Sequence, residues 1–300
     1  MTFIEITKKT NIDFIGLRKK AFILSTILVV LGVVGFVMVA LGKANLSVDF
    51  TGGTTLQVRF KESVSIADLR RVLAHGTGGI SDVQIQEVSG TNEFFLKTKE
   101  SEKIQEKIAS LLSQSFPGKK FEILGSNMVG SSVGQTLKKH AIIAVVISLA
   151  CIVVYIAWRF TFLFGVAATI ATFHDVLALL GIFWLLGREM NILFITALLT
   201  VAGYSLTDTV VVFDRIRENM TKMKSREDFG NVISRSINEV LSRTLITSLT
   251  VVIALISMLV LGGEVLFDFS FALFIGVLVG TYSSIFVASP LIYIWRKKGL

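Results

Sequence analysis

Cysteine, proline and charge are all scarce in this chain of 300 residues, which has one cysteine, two prolines and 17% charged residues. The single Cys151 excludes an internal disulfide, and its place inside an apolar run suggests no metal cluster. With only Pro117 and Pro290, there is no Pro-rich linker. No Gly-rich loop ends in Lys-Ser or Lys-Thr, so no nucleotide is held that way. Nothing in the chain resembles a hydrolytic site. These absences argue against an enzyme and against any cofactor.

What fills the chain is hydrocarbon. Apolar residues make up 52%, in runs of about 20 that can cross a ~30 Å bilayer core as helices. The first run, Ala21–Leu41, follows a basic segment at 1–20 carrying Lys8, Lys9, Arg18, Lys19 and Lys20. A signal sequence has a shorter apolar region of ~7–15 residues, so this run is expected to be an uncleaved anchor. Further spans are expected near His140–Trp158, Phe162–Leu186, Ile192–Phe213, Thr244–Leu261 and Phe269–Trp295, which makes six. Together they form an α-helical membrane protein, with helices two to six in 140–295 and a C-terminal tail at 296–300.

The net charge of +8 is a matter of topology. With both termini in the cytoplasm, the inner segments hold the five N-terminal basic residues, Arg159, and Arg296, Lys297 and Lys298. A cytoplasmic loop expected at 214–243 adds Arg215, Arg217, Lys222, Lys224, Arg226, Arg235 and Arg243. The short outer loops carry Arg188 beside Glu189, and Glu264 with Asp268. Positive residues collect on the inner side of short loops, so this orientation is expected and nucleic acid is not a partner.

Residues 42–139 have the composition of a soluble domain. Alternating apolar residues in Leu46–Phe50 and Thr55–Phe60 suggest strands broken by Gly52-Gly53. Ser65 opens a helix to about Ala74, and Gly78-Gly79 marks a turn. Val83–Val88 and Glu93–Thr98 flank Ser89-Gly90-Thr91-Asn92 as a hairpin. Ser101 caps an amphipathic helix through Ile104, Ile108, Leu111 and Leu112, and Phe121–Leu124 is a last strand. The order contains a split β-α-β core, so an α+β ferredoxin-like domain is expected between helices 1 and 2.

Charges inside the apolar runs are the candidate functional groups, because a carboxylate in hydrocarbon is costly and marks a site by default. At 1.5 Å per residue, Asp208 lies about 9 Å from the centre of its span, inside a half-thickness of about 15 Å. Asp214 lies at roughly 18 Å, where a solvated charge is ordinary. Arg243 opens the fifth span and has a stem long enough to reach Asp208. Ser205 shares a face with Asp208, and Thr247 and Thr250 share one with Arg243. His174 and Asp175 lie within about 2 Å of the centre of the third span. Lone Ser and Thr in membrane helices usually bond to backbone, and Gly276 with Gly280 form a small-residue face suited to helix packing.

Several of these stretches point one way. They are Val48-Asp-Phe-Thr-Gly-Gly53, Phe173-His-Asp-Val176, Gly203-Tyr-Ser-Leu-Thr-Asp-Thr-Val-Val-Val-Phe-Asp-Arg-Ile-Arg-Glu-Asn219, Arg243-Thr-Leu-Ile-Thr-Ser248 and Gly280-Thr-Tyr-Ser-Ser-Ile-Phe-Val-Ala-Ser289. The chain resembles the SecD/SecF protein-export family, in the position of its smaller subunit, from the first span to the C-terminus. The resemblance implies a six-helix half of resistance-nodulation-division (RND) type in the bacterial cytoplasmic membrane, paired with SecD. It implies an accessory to the Sec translocon channel that uses protons as coupling ion to complete export of unfolded secretory polypeptide. The family's transmembrane Asp and Arg carry over onto Asp208 and Arg243. Two departures stand out. Thr207 replaces the usual Asn before that Asp, and Gly130-Ser-Ser-Val-Gly134 has Ser where the family has Pro. Two other functions remain open at this stage: a proton-coupled exporter of small molecules or lipids, and a structural subunit that stabilises SecD.

Overall fold

A computed structural model describes residues 10–75, 83–88, 91–99, 103–223 and 227–297. Lys8, Lys9, Gly78-Gly79, Ser89-Gly90, Ser101, Lys224, Arg226 and Lys298 lie outside the described residues. In chain order the elements are α1 (Arg18–Ala40), α2 (Val48–Thr51), β1 (Gly53–Phe60), α3 (Ile66–His75), β2 (Gln84–Glu87), β3 (Glu93–Thr98), α4 (Ile104–Ser115), β4 (Phe121–Val129) and α5 (Ser131–Arg159). They continue with α6 (Phe162–Leu185), α7 (Ile192–Thr221), α8 (Phe229–Leu261), α9 (Gly263–Ser283), a π-turn at Ser284–Ala288, and α10 (Ser289–Lys297). Contacts divide the chain into two units, Leu46–Ile143 and the remainder.

The first unit is a sheet of order β2-β3-β1-β4 with every neighbour antiparallel. Chain order β1-α3-β2-β3-α4-β4 on that sheet is the ferredoxin-like arrangement, because β3 splits the β1-α3-β2 unit. Alternation sets the register. Leu56 and Val58 face Leu96 and Phe94 across β1 and β3, and all four are fully buried with Leu69, Leu73, Ile108 and Leu112 from the two helices. Each such side chain contributes about 2 kcal/mol of burial.

One expected strand is absent. Leu46–Phe50 does not extend into the sheet, since Val48–Thr51 is a helical turn capped by Ser47, whose Oγ accepts from the Asp49 backbone N–H at 3.0 Å. Ser and Asp compete with strand formation by bonding to nearby backbone, which overrides the apolar alternation there. The strand then starts at Gly53. Gly52 and Gly53 both have positive φ, and a Cβ on Gly53 would stand 2.2 Å from the Thr98 carbonyl oxygen. The last strand is longer than expected, running to Val129.

The second unit holds long apolar helices. Over the chain as a whole, six helices among the described residues are long and apolar enough to cross a membrane, the sixth running from Leu266 to Arg296 through the π-turn. Close crossings occur where side chains are missing. A Cβ on Gly32 of α1 would meet the Leu177 carbonyl of α6 at 2.3 Å, and one on Gly181 would meet Gly32 N at 2.5 Å. A Cβ on Gly276 of α9 would stand 2.1 Å from Val201 Cγ2 of α7, and one on Gly280 would stand 3.0 Å from Ser205 Cβ. Backbones approach this closely only over small residues. The π-turn precedes Pro290, whose ring has no N–H and crowds the carbonyl four residues back. Ser289 Oγ donates to the Ser284 carbonyl at 2.9 Å within it.

The expected loop at 214–243 is instead mostly helix. α7 has 30 residues and α8 has 33, about 45 and 50 Å of rise, so both overrun the bilayer core. Only 222–228 connects them. The charges that suggested a loop pair across the two helices: Arg215 Nε donates to Glu239 at 2.6 Å, and Asn219 Nδ2 to the same carboxylate at 2.7 Å. Asp214 is not a free helix-end charge either, because Arg159 donates to it at 2.8 Å. The sequence also left residues 10–17 without a role. Phe14 and Ile15 are buried in the same core as Phe213, Ile233 and Ile292, and Asn238 exchanges two bonds with the Ile12 backbone.

Candidate functional site

Asp175 is the centre of the buried polar groups. It sits midway along α6, fully buried, and its two oxygens are shared among three helices. Adjacent His174 bonds through Nδ1 to Oδ1 at 2.8 Å. Ser205 Oγ of α7 donates to Oδ2, and Ser283 Oγ of α9 donates to the same oxygen at 2.7 Å. Hydrogen bonds to a charged acceptor contribute about 1.5–3 kcal/mol each, which offsets part of the cost of burying the carboxylate. His174 is 3% exposed, and its Nε2 has no hydrogen-bond partner.

The helices deliver these groups in phase. Val201, Ser205 and Asp208 fall at i, i+4 and i+7 on α7, and Gly276, Gly280 and Ser283 do the same on α9. The glycines let α9 approach α7, and that approach brings Ser283 to the carboxylate.

Asp208 lies one turn beyond Ser205 and is 7% exposed. Its Oδ2 is buried without a partner, with Thr281 of α9 beside the carboxylate. Thr281 in turn shares a 2.7 Å bond with Ser248 of α8. The expected pairing of Asp208 with Arg243 is not formed. Thr244 is the residue of that turn that faces inward, 2% exposed, so Arg243 is one position round the helix and exposed. Thr247 and Thr250 are exposed with it, and the Thr247 hydroxyl bonds to its own helix at Arg243 O and Thr244 O. Thr207 is exposed as well and donates to the Tyr204 carbonyl at 2.7 Å.

The structure therefore brings His174, Asp175 and Ser205 together, places Asp208 beside Thr281, and leaves Thr207, Arg243 and Thr247 on an outer face. The sequence set Ser283 on the helix-packing face without its bond to Asp175, and gave Thr281 no role. Ser283 was legible from its i+7 spacing to Gly276, which puts it on the packing face, whereas Thr281 depends on how α8 and α9 pack.

Six apolar helices with carboxylates buried among them, and a ferredoxin-like domain after the first, define a polytopic membrane protein, the layout that the family resemblance implies for an RND-type half. The comparisons with known proteins make that class specific. The family model for the C-terminal part of the protein export membrane protein SecD/SecF matches residues 107–298, and the SecD/SecF GG motif matches 43–64. The chain belongs to the SecD/SecF protein-export family. It is 48% identical over 299 residues to the protein translocase subunit SecF of Thermodesulfovibrio yellowstonii, covering 99% of each chain. It is 41% identical over 259 residues to the protein translocase subunit SecDF of Thermus thermophilus, covering 85% of this chain and 35% of that one. The crystal structure of SecDF from Thermus thermophilus, described as a translocon-associated membrane protein, superposes with a TM-score of 0.84 at 35% identity. That match covers 99% of this chain and 40% of the solved one. The chain is a multi-pass protein of the cytoplasmic membrane.

Proposed function

We propose that this chain is an accessory subunit of the Sec protein translocase which, with SecD, uses the proton gradient to complete export of polypeptides. The relatives named as translocase subunits support a transport subunit with no catalytic step of its own. Both termini lie in the cytoplasm, as the distribution of Lys and Arg favours, and the Leu46–Ile143 unit faces the outer side, where it meets emerging polypeptide.

The observation that carries the reading is Asp208, buried in an apolar helix with one carboxylate oxygen unpartnered. Such a group is stable in hydrocarbon when protonated or when a cation reaches it. Arg243 is the cation available, on a long stem at the rim of the same helix pair. Asp208 alternates between a charged state closed on Arg243 and a protonated state released from it, and α7 and α8 repack between the two. A potential of 100 mV supplies about 2.3 kcal/mol per charge moved fully across, enough to bias a two-state helix packing.

SecD is the natural occupant of the outer face. Thr196, Thr200, Gly203 and Thr207 run along the exposed side of α7, and Arg243, Thr247 and Thr250 along that of α8. A guanidinium and a row of hydroxyls are poorly matched to lipid, and in the SecDF relatives about three-fifths of the chain lies outside the part matched here.

The test is copurification with SecD, followed by reconstitution with the Sec channel in vesicles under an imposed proton gradient. Asp208→Asn and Arg243→Gln are expected to abolish the gradient-dependent fraction of export at unchanged complex yield. Intact gradient-driven export with Asp208→Asn would defeat the reading. Full export by the double replacement would favour a structural subunit, and transport of lipid or small molecules without the channel would favour an exporter.

A further inference from the structure

The buried pair on α6 is not needed by the Asp208–Arg243 mechanism, yet it is the most completely enclosed ionisable group among the described residues. Asp175 is 0% exposed and His174 is 3% exposed. A carboxylate in that position needs compensation, and hydroxyl donors stabilise it without neutralising it. The cations of the surrounding helices lie toward their ends, and none besides His174 acts on Asp175. α7 offers Ser205 and, one turn on, Asp208. α9 offers Ser283 and the phenol of Tyr282, whose ring centroid is 6.3 Å from that of His174. α1 offers Ser25, bonded to the Tyr282 hydroxyl at 3.0 Å. The one group able to carry a compensating positive charge is His174 itself.

The imidazole is oriented for that task. With Asp175 ionised, all three of its bonds are accepted ones, and His174 then donates from Nδ1–H to Oδ1. In that form the tautomer leaves Nε2 with a lone pair, buried and without a partner. An orphaned buried nitrogen calls for an explanation. A vacant proton position accounts for it, because adding H⁺ at Nε2 makes His174 an imidazolium and turns a buried charge of −1 into a neutral ion pair.

We infer that the His174–Asp175 pair is a second proton-binding site, with Nε2 of His174 as the atom that takes the proton. Asp175 is the counter-ion, held in place by Ser205 and Ser283. The inference rests on the reading of the chain as a proton-driven subunit and adds a ligand position to it. One N–H bond forms, no bond to carbon changes, and the proton comes from water on the side of the membrane to which the helices open. Because Ser205 lies one turn from Asp208 on α7, and Ser283 lies on the α9 face packed against α7, occupancy at His174 bears directly on the helix that carries Asp208. Nε2 is enclosed in the arrangement described, so proton exchange there requires the helices around His174 to part. Loading is thereby tied to a conformational step.

The experiment observes the ring nitrogen rather than export. A full-length chain with His75→Gln and His140→Gln keeps His174 as its sole histidine. It is labelled with ¹⁵N-histidine, assembled with SecD in lipid bilayers, and followed by solid-state NMR across pH 8 to 5. The expected result is an Nδ1–H tautomer with unprotonated Nε2 at high pH, and loss of the unprotonated-nitrogen signal as the pH falls. If that variant does not accumulate, labelled wild type serves, with His174→Asn, which keeps an amide donor toward Asp175, identifying the signal by its disappearance. Asp175→Asn is expected to abolish the low-pH protonation. Nε2 unprotonated throughout, protonated throughout, or titrating unchanged in Asp175→Asn would each overturn the inference. None of these outcomes depends on whether Asp208 drives export, so failure here is separable from failure of the function proposed above.

Discussion

Ser283 and Asp175 stand 108 positions apart and meet through a 2.7 Å bond from Oγ to Oδ2, joining the last long helix to the third membrane span. Ser205 reaches the same oxygen from α7, so one carboxylate ties three helices. Ser283→Ala removes one of the three bonds and fills no new space. The expected cost is about 1 kcal/mol, since bonds between membrane helices average somewhat less than that and bonds to charged groups more. Thermal unfolding in detergent, compared with Ser284→Ala, whose hydroxyl bonds within its own helix at Thr281 O, would reveal it.

The α7–α9 crossing predicts a gradient of tolerance along one face. Alanine at Gly276 would bring its Cβ within 2.1 Å of Val201 Cγ2, and the helices must separate or Val201 must turn. At Gly280 the nearest atom is Ser205 Cβ at 3.0 Å, a few tenths of an ångström too close. Overpacking of the first kind costs about 1–3 kcal/mol. Gly276→Ala should lower the unfolding temperature clearly, and Gly280→Ala only slightly. Equal effects would mean that this crossing does not limit stability.

In the ferredoxin-like unit, the glycine that opens β1 makes a sharper case. Gly53→Ala combines φ +125° with a Cβ 2.2 Å from the Thr98 carbonyl oxygen, so the start of β1 must move away from β3. Gly125 in β4 has ordinary φ and open space around it, and alanine there is neutral or stabilising by about 0.5–1 kcal/mol. Limited proteolysis of the full chain should cut the Leu46–Ile143 unit faster in Gly53→Ala and no faster in Gly125→Ala.

The outer face of α7 and α8 can be probed with bulk. Thr207→Phe and Thr247→Phe add volume where the side chain is exposed and its hydroxyl is used only on its own helix. Both should reduce recovery of SecD in copurification while leaving the chain's own unfolding temperature unchanged. Val154→Phe on α5, exposed in the same way, is the control expected to do neither. Undiminished SecD recovery from the two threonine variants would place the partner elsewhere.

The sequence disclosed the helices and strands better than their ends, and the buried groups better than their partners. Hydrocarbon length marked all six spans, but most of the loop expected at 214–243 proved to be helix, its charges pairing along and across α7 and α8. The strand expected at Leu46–Phe50 failed for a local reason, the Ser47 cap, which apolar alternation does not register. Asp208 is buried among the helices, as a costly charge inside an apolar run calls for. Its link to Arg243 was not legible in the same way. Reach along the helix axis is fixed by sequence, but the direction around the axis depends on which neighbour, here Thr244, the fold turns inward. Of the partners of Asp175, His174 is its chain neighbour, whereas Ser283 reaches it only through the glycine-lined crossing.

The π-turn at Ser284–Ala288 has a consequence for register. A π-turn uses one residue more than an α-helix needs for the same advance, and one residue is about 100° of rotation. Ser283 on one side of it aims at Asp175, while Ile292 on the other aims into the core with Ile233. Deleting Phe286 from the turn would restore an unbroken α-helix and swing Ser283 off the carboxylate without removing either of the hydroxyls that bond to it. The sixth span thus carries two angular settings on one rod, and a spare residue beside its only proline keeps them apart.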